Sequence, residues 1–498
     1  MFPLVLNEGL WFKRRFLTGR PIGEAVLRYV LAFLFASVAG HRAYGDVGVV
    51  LNESLDESMD RITGTGHSAI YFSRICAESP IKLRMCRPGE LGSVMSIYIN
   101  IGEDQPFEWN IVPLNVYLYG VEDSRNRPIF GSYKVKHVLE ERYREKYLSE
   151  YCASSACRTS GKAEWREMVA ATLIRGVHIF VVDTSVEQDR ELVAEFDDSA
   201  NKNHFNGATH NCADFTREVI NTYFPHAVNR DYVNDFGMTS PKAVARSFTH
   251  YALRHPELNF RVMHFPQVPG AIKRSSEVRA GTEQLFHSKK LLIPMIIFAD
   301  HALPVVAGSY VFTGRFNPQH EFEKHPAAEL GPENLTSPPR PPAAALPGER
   351  MRIVGTSSEW KKYRNAFDSI AEENKNVIQP RGISGFFKHL DHAGTASVDS
   401  DGAASMELSE NGESTRVGVS ASNALAPGSN AQLSYKLFLA RTGTFLKSPK
   451  HRRETMLEFQ QDWANLQRAS AEIGAISATN TTPVKIAHGV IMQASGEE

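Results

Sequence analysis

The chain has 498 residues, with 55 Lys plus Arg against 56 Asp plus Glu and 42% hydrophobic residues. That length exceeds one ordinary domain of ~100–200 residues, and the composition excludes a wholly disordered chain. A formal charge of −1 argues against a nucleic-acid binder that works through a global basic field.

Residues 1–45 read as a signal peptide or N-terminal membrane anchor. Lys13, Arg14, Arg15, Arg20 and Arg28 precede or enter an apolar run over 26–40 that ends in Ala36-Ser37-Val38-Ala39-Gly40. A basic region, a short apolar core and small residues at its end describe a secretory signal. The run is short for a spanning helix, which needs ~17–25 residues. A buried N-terminal helix is the plain alternative.

Residues 46–265 read as one mixed unit of strands and helices. Segments 69–72, 81–85, 94–101 and 177–182 have β-rich, partly alternating patterns. Segments 138–148, 164–174 and 186–196 predict helices, and so does 212–224. Ser240 and Pro241 predict another helix start, with Ser at the N-cap and Pro at the first helical position.

A second apolar stretch, 291–313 within a segment at 289–316, has the length of one membrane crossing. Pro294, Asp300, His301 and Pro304 lie inside it, and a mid-span charge costs a few kcal/mol unless paired. Either a membrane-embedded segment or a buried helix plus strand fits. Residues 326–498 read as a Pro-rich linker and a tail. The tail carries two amphipathic helices, one with Trp360, Tyr363, Phe367 and Ile370, the other with Met456, Phe459, Trp463 and Leu466. Between them, 394–433 are rich in Ser, Gly, Ala and Asn and are expected to be disordered. No internal repeat, metal motif or Gly-rich phosphate loop stands out, so no cofactor is expected.

Two stretches carry chemistry together. In Gly64-Thr65-Gly66-His67-Ser68-Ala69-Ile70-Tyr71-Phe72, glycines give way to a strand headed by His67. Alternation puts His67, Ala69 and Tyr71 on one face and Ser68, Ile70 and Phe72 on the other. In His210-Asn211-Cys212-Ala213-Asp214-Phe215, Asn211 is a good N-cap and Asp214 can cap back. Cys212 then stands at the first helical position, with Phe215, Val219 and Tyr223 forming a buried stripe behind it. A helix N-terminus favours the thiolate, and its free N–H groups suit an oxyanion. A lone Cys or a lone His would more often be structural. A His-headed strand and a Cys-headed helix are instead the two halves of a Cys–His hydrolase site.

The pair GHSAIYF and NCADFTREVI resembles the circularly permuted NlpC-type branch of the papain-like thiol hydrolases, closest to bacterial periplasmic domains of poorly known function. The resemblance covers about 46–265. It implies an α+β fold with an antiparallel sheet packed with helices, Cys212 as nucleophile and His67 as general base. It also implies a third group that orients the imidazole, for which Glu78 and then Ser79 are the candidates.

Five cysteines leave one unpaired if the others bridge. With Cys212 as the thiol, Cys76/Cys86 and Cys152/Cys157 close short loops and suit disulfides in an oxidising periplasm, or four reduced thiols in a cytosolic protein. His137 and His178 lie in no ligand spacing for zinc. His204 and His210 are either cleft-lining or simply exposed. The leading expectation is an envelope-located cysteine hydrolase, periplasmic or anchored to the inner membrane, cutting an amide in cell-wall peptide or a related acyl link. The rivals are a non-catalytic envelope assembly module that meets its partner through the tail, and a lipid-directed acyltransferase. None needs nucleic acid.

Overall fold

The computed structural model describes residues 45–55, 66–101, 107–151, 168–283, 315–327 and 389–423 apart from short gaps, with isolated positions between 304 and 311. The signal or anchor segment before Gly45, most of 291–313, both tail helices, and Cys152 and Cys157 lie outside the described residues. Among the described residues, no helix is long and apolar enough to cross a membrane.

The protein is a mixed α+β fold built on one antiparallel sheet. Its strands are β1 (Gly45–Asn52), β2 (His67–Phe72), β5 (Ser93–Ile101), β6 (Phe107–Pro113), β7 (Val177–Thr184) and β8 (Arg261–Phe265), in the order β6-β5-β2-β1-β7-β8. A separate hairpin, β3 (Ile75–Ser79) with β4 (Lys82–Met85), follows β2. The helices are α1 (Leu114–Tyr119), α2 (Tyr133–Tyr147), α3 (Val186–Asp198), α4 (Cys212–Tyr223), α5 (Pro241–Arg254) and α6 (Pro318–Lys324).

Both faces of the sheet are covered, which is why its strands are apolar on both sides. One face, with Val50, Ala69, Tyr71, Val94 and Ile179, packs on Val116 and Tyr117 of α1 and Leu139 of α2. The other face, with Val49, Ile70, Phe72, Met95 and Phe180, packs on Phe215 and Val219 of α4, Phe248 of α5 and Phe322 of α6. Burying each such side chain stabilises by about 1.5–3 kcal/mol relative to leaving it exposed.

Several expectations hold, with wider bounds. The strands at 69–72, 94–101 and 177–182 and the helices at 138–148, 186–196 and 212–224 are present, and Ser240 caps α5 with Pro241 at its first position. Strand β1 has no counterpart among the predicted strands. Its Gly48 interrupts a β-branched pattern, and the fold explains the glycine: a Cβ there would stand 2.7 Å from the Phe180 carbonyl on β7. The helix predicted over 164–174 is corrected. Its described part is a single 3₁₀ turn, Ala171–Leu173, because Ala170 takes a left-handed conformation (φ 55°) that no α-helix continues through.

The tail also needs correction. Within the stretch expected to be disordered, Thr395–Val398 (β9), Ala404–Glu410 (β10) and Glu413–Gly418 (β11) form a three-stranded antiparallel sheet. Leu390, Ala404, Met406 and Val419 are buried in the core beside α2. Lys134 of α2 donates to the carbonyls of His392 and Gly394, and Ser132 donates to Asp391. The domain therefore extends past 265 and recruits 389–423, whose inward side chains join its core.

Candidate functional site

The strands run so that one end of the sheet, here the upper end, collects the start of β2, β6 and β7 and the finish of β1, β5 and β8. His67 opens β2 at this end. Gly66 before it has φ +71°, and a Cβ there would stand 2.4 Å from the Asn52 carbonyl. The second glycine of Gly-Thr-Gly is thus needed for close approach to β1.

Cys212 opens α4 at the same end. Asn211 is its N-cap, and the Asn211 Oδ1 accepts from the N–H groups of Ala213 (2.8 Å) and Asp214 (3.1 Å). Asp214 caps back onto the Asn211 N–H, completing the predicted capping box. Two of the helix's amides are therefore committed to the cap, which narrows the oxyanion role expected of them. Asp214 is fully buried and accepts from Thr239 (2.5 Å) and Arg230 (2.8 Å), so a loop and a cation are tied to the first turn. The Cys212 side chain is half-buried, not disulfide-bonded, and leans on the α4 face of the core.

A run of polar contacts joins the two elements. Ser68 Oγ donates to Thr216 Oγ1 at 3.0 Å, and Thr216 Oγ1 donates to the Cys212 carbonyl at 2.8 Å. Ser96 of β5 donates to the Ser68 carbonyl at 3.0 Å, and its hydroxyl lies 3.1 Å from His67 Nε2. The heads of β2 and α4 are thus stitched one turn below Cys212. Alternation along β2 is as predicted, with Ala69 and Tyr71 in one core cluster and Ile70 and Phe72 in the other. It also gives His67 and Ser68 opposite sides of the strand. His67 leans toward Ser96 and Asn52, while Ser68 faces α4.

His67 is buried. Burial, and next the charge of Arg175, hold its imidazole well below the usual histidine range. Its surroundings thus favour the neutral imidazole and oppose its protonation.

Glu78 is not at the site. It sits on the β3–β4 hairpin, exposed, 3.4 Å from Lys82. Ser79, the second candidate, accepts from Tyr151 at 3.3 Å in the same hairpin. Ser96, on the neighbouring strand β5, meets the imidazole at Nε2. A serine in an alternating strand carries no local signal of that role. Of the flanking histidines, His204 is exposed. His210 is half-buried, with Nε2 2.7 Å from Glu108 Oε1 on β6. The predicted Cys76–Cys86 disulfide is present and closes the β3–β4 hairpin. A cavity of about 630 Å³ opens beside that hairpin, lined by Arg84, Glu90, Asn115 and Glu122 among others, and includes neither His67 nor Cys212.

No family model matches the chain, and no curated protein or solved structure does.

Proposed function

We propose that the chain is an envelope-located thiol acyl hydrolase of the permuted papain-like kind. Cys212 is the nucleophile, His67 the base, and Ser96 the group that orients the imidazole. The observation that carries this reading is the contact from Ser68 through Thr216 to the Cys212 carbonyl, which brings the heads of β2 and α4 to one end of the sheet; His67 itself lies on the opposite side of β2, so in this reading it reaches the thiol around the end of the strand. Ser96 beside Nε2 supports it as a neighbour that fixes the orientation of the imidazole. The chain order, His before Cys, and the antiparallel sheet also accord with a permuted arrangement. The Cys76–Cys86 disulfide accords with an oxidising compartment.

In this reading the thiol proton passes to His67 as Sγ attacks the carbonyl carbon. The imidazolium then protonates the leaving nitrogen or oxygen as the acyl bond breaks and a thioester remains. Water attacks the thioester, its proton passing to His67 and back to the departing thiolate. Burial and Arg175 make the imidazolium costly, so proton transfer is coupled to attack and no standing ion pair is built. With Ala213 and Asp214 amides committed to the cap, the oxyanion falls to the Cys212 N–H and to donors brought by neighbouring loops. The substrate is an amide in cell-wall peptide or a related acyl link.

The test is labelling by a small electrophile, read at Cys212 by peptide mass spectrometry. Wild type should label at least tenfold faster than His67→Gln and severalfold faster than Ser96→Ala. Equal rates in all three proteins would remove His67 from the site and the hydrolase reading with it.

A further inference from the structure

Three ligand-type side chains converge at the upper end of the sheet, on strands that the hydrolase reading does not use. Leu51 of β1 pairs with His178 of β7, and His178 pairs with His264 of β8. The two imidazoles stack across the strands, centroids 4.2 Å apart and 14° from parallel. The backbone N–H of Glu53, just past the end of β1, donates to the Gly176 carbonyl at 2.9 Å, which folds its carboxylate over the start of β7. Ligand atoms of Glu53, His178 and His264 all lie within 4.8 Å of one another.

We propose that Glu53, His178 and His264 form a binding site for one divalent first-row metal ion, of which zinc is the best fit. Two imidazoles and one carboxylate are a known donor set for Zn²⁺, with the remaining position open to water. Ligand atoms about 2.0–2.2 Å from a tetrahedral ion stand about 3.3–3.6 Å apart, so closing a set that lies within 4.8 Å needs relative side-chain shifts of up to about 1.5 Å.

The surroundings are arranged for ligands. Ser275 Oγ donates to Glu53 Oε2, and Gln319 Oε1 of α6 lies 3.4 Å from His178 Nε2. Such neighbours fix the orientation of metal-ligating groups. Glu53 and His264 are half-buried, which leaves the cluster a path to solvent.

A purely structural role explains less. Stacked imidazoles pack α6 adequately through Phe322, 5.5 Å from His264, and need no carboxylate beside them. The other candidate cluster among the described residues, Cys76, Cys86 and Glu90, has both sulfurs in a disulfide and offers no thiolate. The sequence hid the Glu53 site because its ligands are 53, 178 and 264, brought together only by strand register.

The experiment uses the full chain, stripped with chelator and titrated with Zn²⁺ and with Co²⁺ as a spectroscopic substitute. Cys212→Ser serves as the background, so that thiol binding is not counted. The expected result is one equivalent of Zn²⁺ bound and a rise in melting temperature of several degrees. Glu53→Gln and His264→Gln should each weaken binding at least tenfold while matching the metal-free melting temperature of the parent. X-ray absorption of the loaded parent should show two imidazoles and no sulfur, a readout that stands even where a variant folds poorly. Absence of binding at 100-fold excess metal overturns the site. So does stoichiometric binding that survives both substitutions, or a coordination shell with sulfur or a single imidazole.

Discussion

The two ends of the central sheet use their polar residues in opposite ways. At the lower end, where β1 begins and β2 and β7 finish, charges are paired off. Arg74 donates to Asp189 at 2.7 Å and to the Thr184 carbonyl at 2.8 Å, and Tyr223 at the foot of α4 donates to Asp189 at 2.9 Å. Arg261 bridges Asp46 and Asp183. One carboxylate thus ties β7, α3 and α4 to the turn after β2. At the upper end stand His67, Cys212, Glu53, His178 and His264, with His210 against Glu108. These are residue types whose chemistry suits attack or ligation. The lower end holds the sheet and its helices in register, and that rigidity is what allows two strand heads and a helix head to be placed at the other end.

Asp189→Ala should have the largest effect. It leaves Arg74 and the Tyr223 hydroxyl without their carboxylate in a buried setting, a loss of about 3–5 kcal/mol. Cys212→Ala should change stability by about 1 kcal/mol or less, since the side chain is half-buried and small. Urea unfolding of both variants checks this. Comparable losses would mean that the upper end is as structural as the lower, and the division would fail.

Next in size is an acid effect peculiar to the upper end. His67 has its folded pKa depressed well below the value near 6.5 of an unfolded histidine. Below about 6.5 the unfolded chain therefore binds the proton more readily than the folded one. Stability contributed by the neutral group is present above 6.5 and is lost as pH falls from there toward the folded value, by up to about 1.4 kcal/mol per pH unit. The difference in urea midpoint between wild type and His67→Gln isolates this one group. It should shrink or reverse between pH 7.5 and pH 5.5. A difference that does not move with pH would place His67 in a solvated or ion-paired setting instead.

Much of this arrangement can be read from the residues. The Asn211–Asp214 capping box placed Cys212 at the first turn because capping is local chemistry, confined to four consecutive residues. Alternation in 67–72 was legible for the same reason. Which face of β2 the helix would cover was not legible, because both faces are apolar under two helical layers, and only the Ser68–Thr216 contact decides it. Long-range register hid the rest. Ser96 reaches His67 across β2 and β5, and His178 reaches His264 across β7 and β8. Composition misled at 395–418, where Ser, Gly and Ala that suggest disorder form strands whose inward residues, such as Met406, are buried against α2.

A smaller effect tests the glycines that allow the strands to approach. Gly48→Ala places a Cβ 2.7 Å from the Phe180 carbonyl, a backbone atom that moves only with β7 itself. Overpacking of this kind costs about 1–3 kcal/mol. The strain should act on β1 and β7 without touching β2 or α4. Electrophile labelling of Cys212 should therefore persist in the folded fraction while the urea midpoint falls. Loss of labelling at unchanged stability would show that the two ends communicate through β1, and the comparison would have to be redrawn.

The smallest expected effect separates two candidates for one role. Glu78 is exposed and pairs with Lys82 at 3.4 Å, a pair of a kind worth about 0–1 kcal/mol. Glu78→Gln should leave both the urea midpoint and the Cys212 labelling rate within error of wild type. Ser96→Ala, by contrast, removes the hydroxyl 3.1 Å from His67 Nε2 and should slow labelling severalfold. Its cost in stability should be about 1 kcal/mol, that of a buried hydroxyl losing its hydrogen bonds. The informative quantity is the ratio of the two labelling rates, because each substitution changes only a few atoms and neither alters the helix cap. A ratio near one, with both rates normal, would mean that the imidazole needs no orienting group. A slow Glu78→Gln protein would mean that the β3–β4 hairpin swings toward the upper end, against its placement beside Lys82.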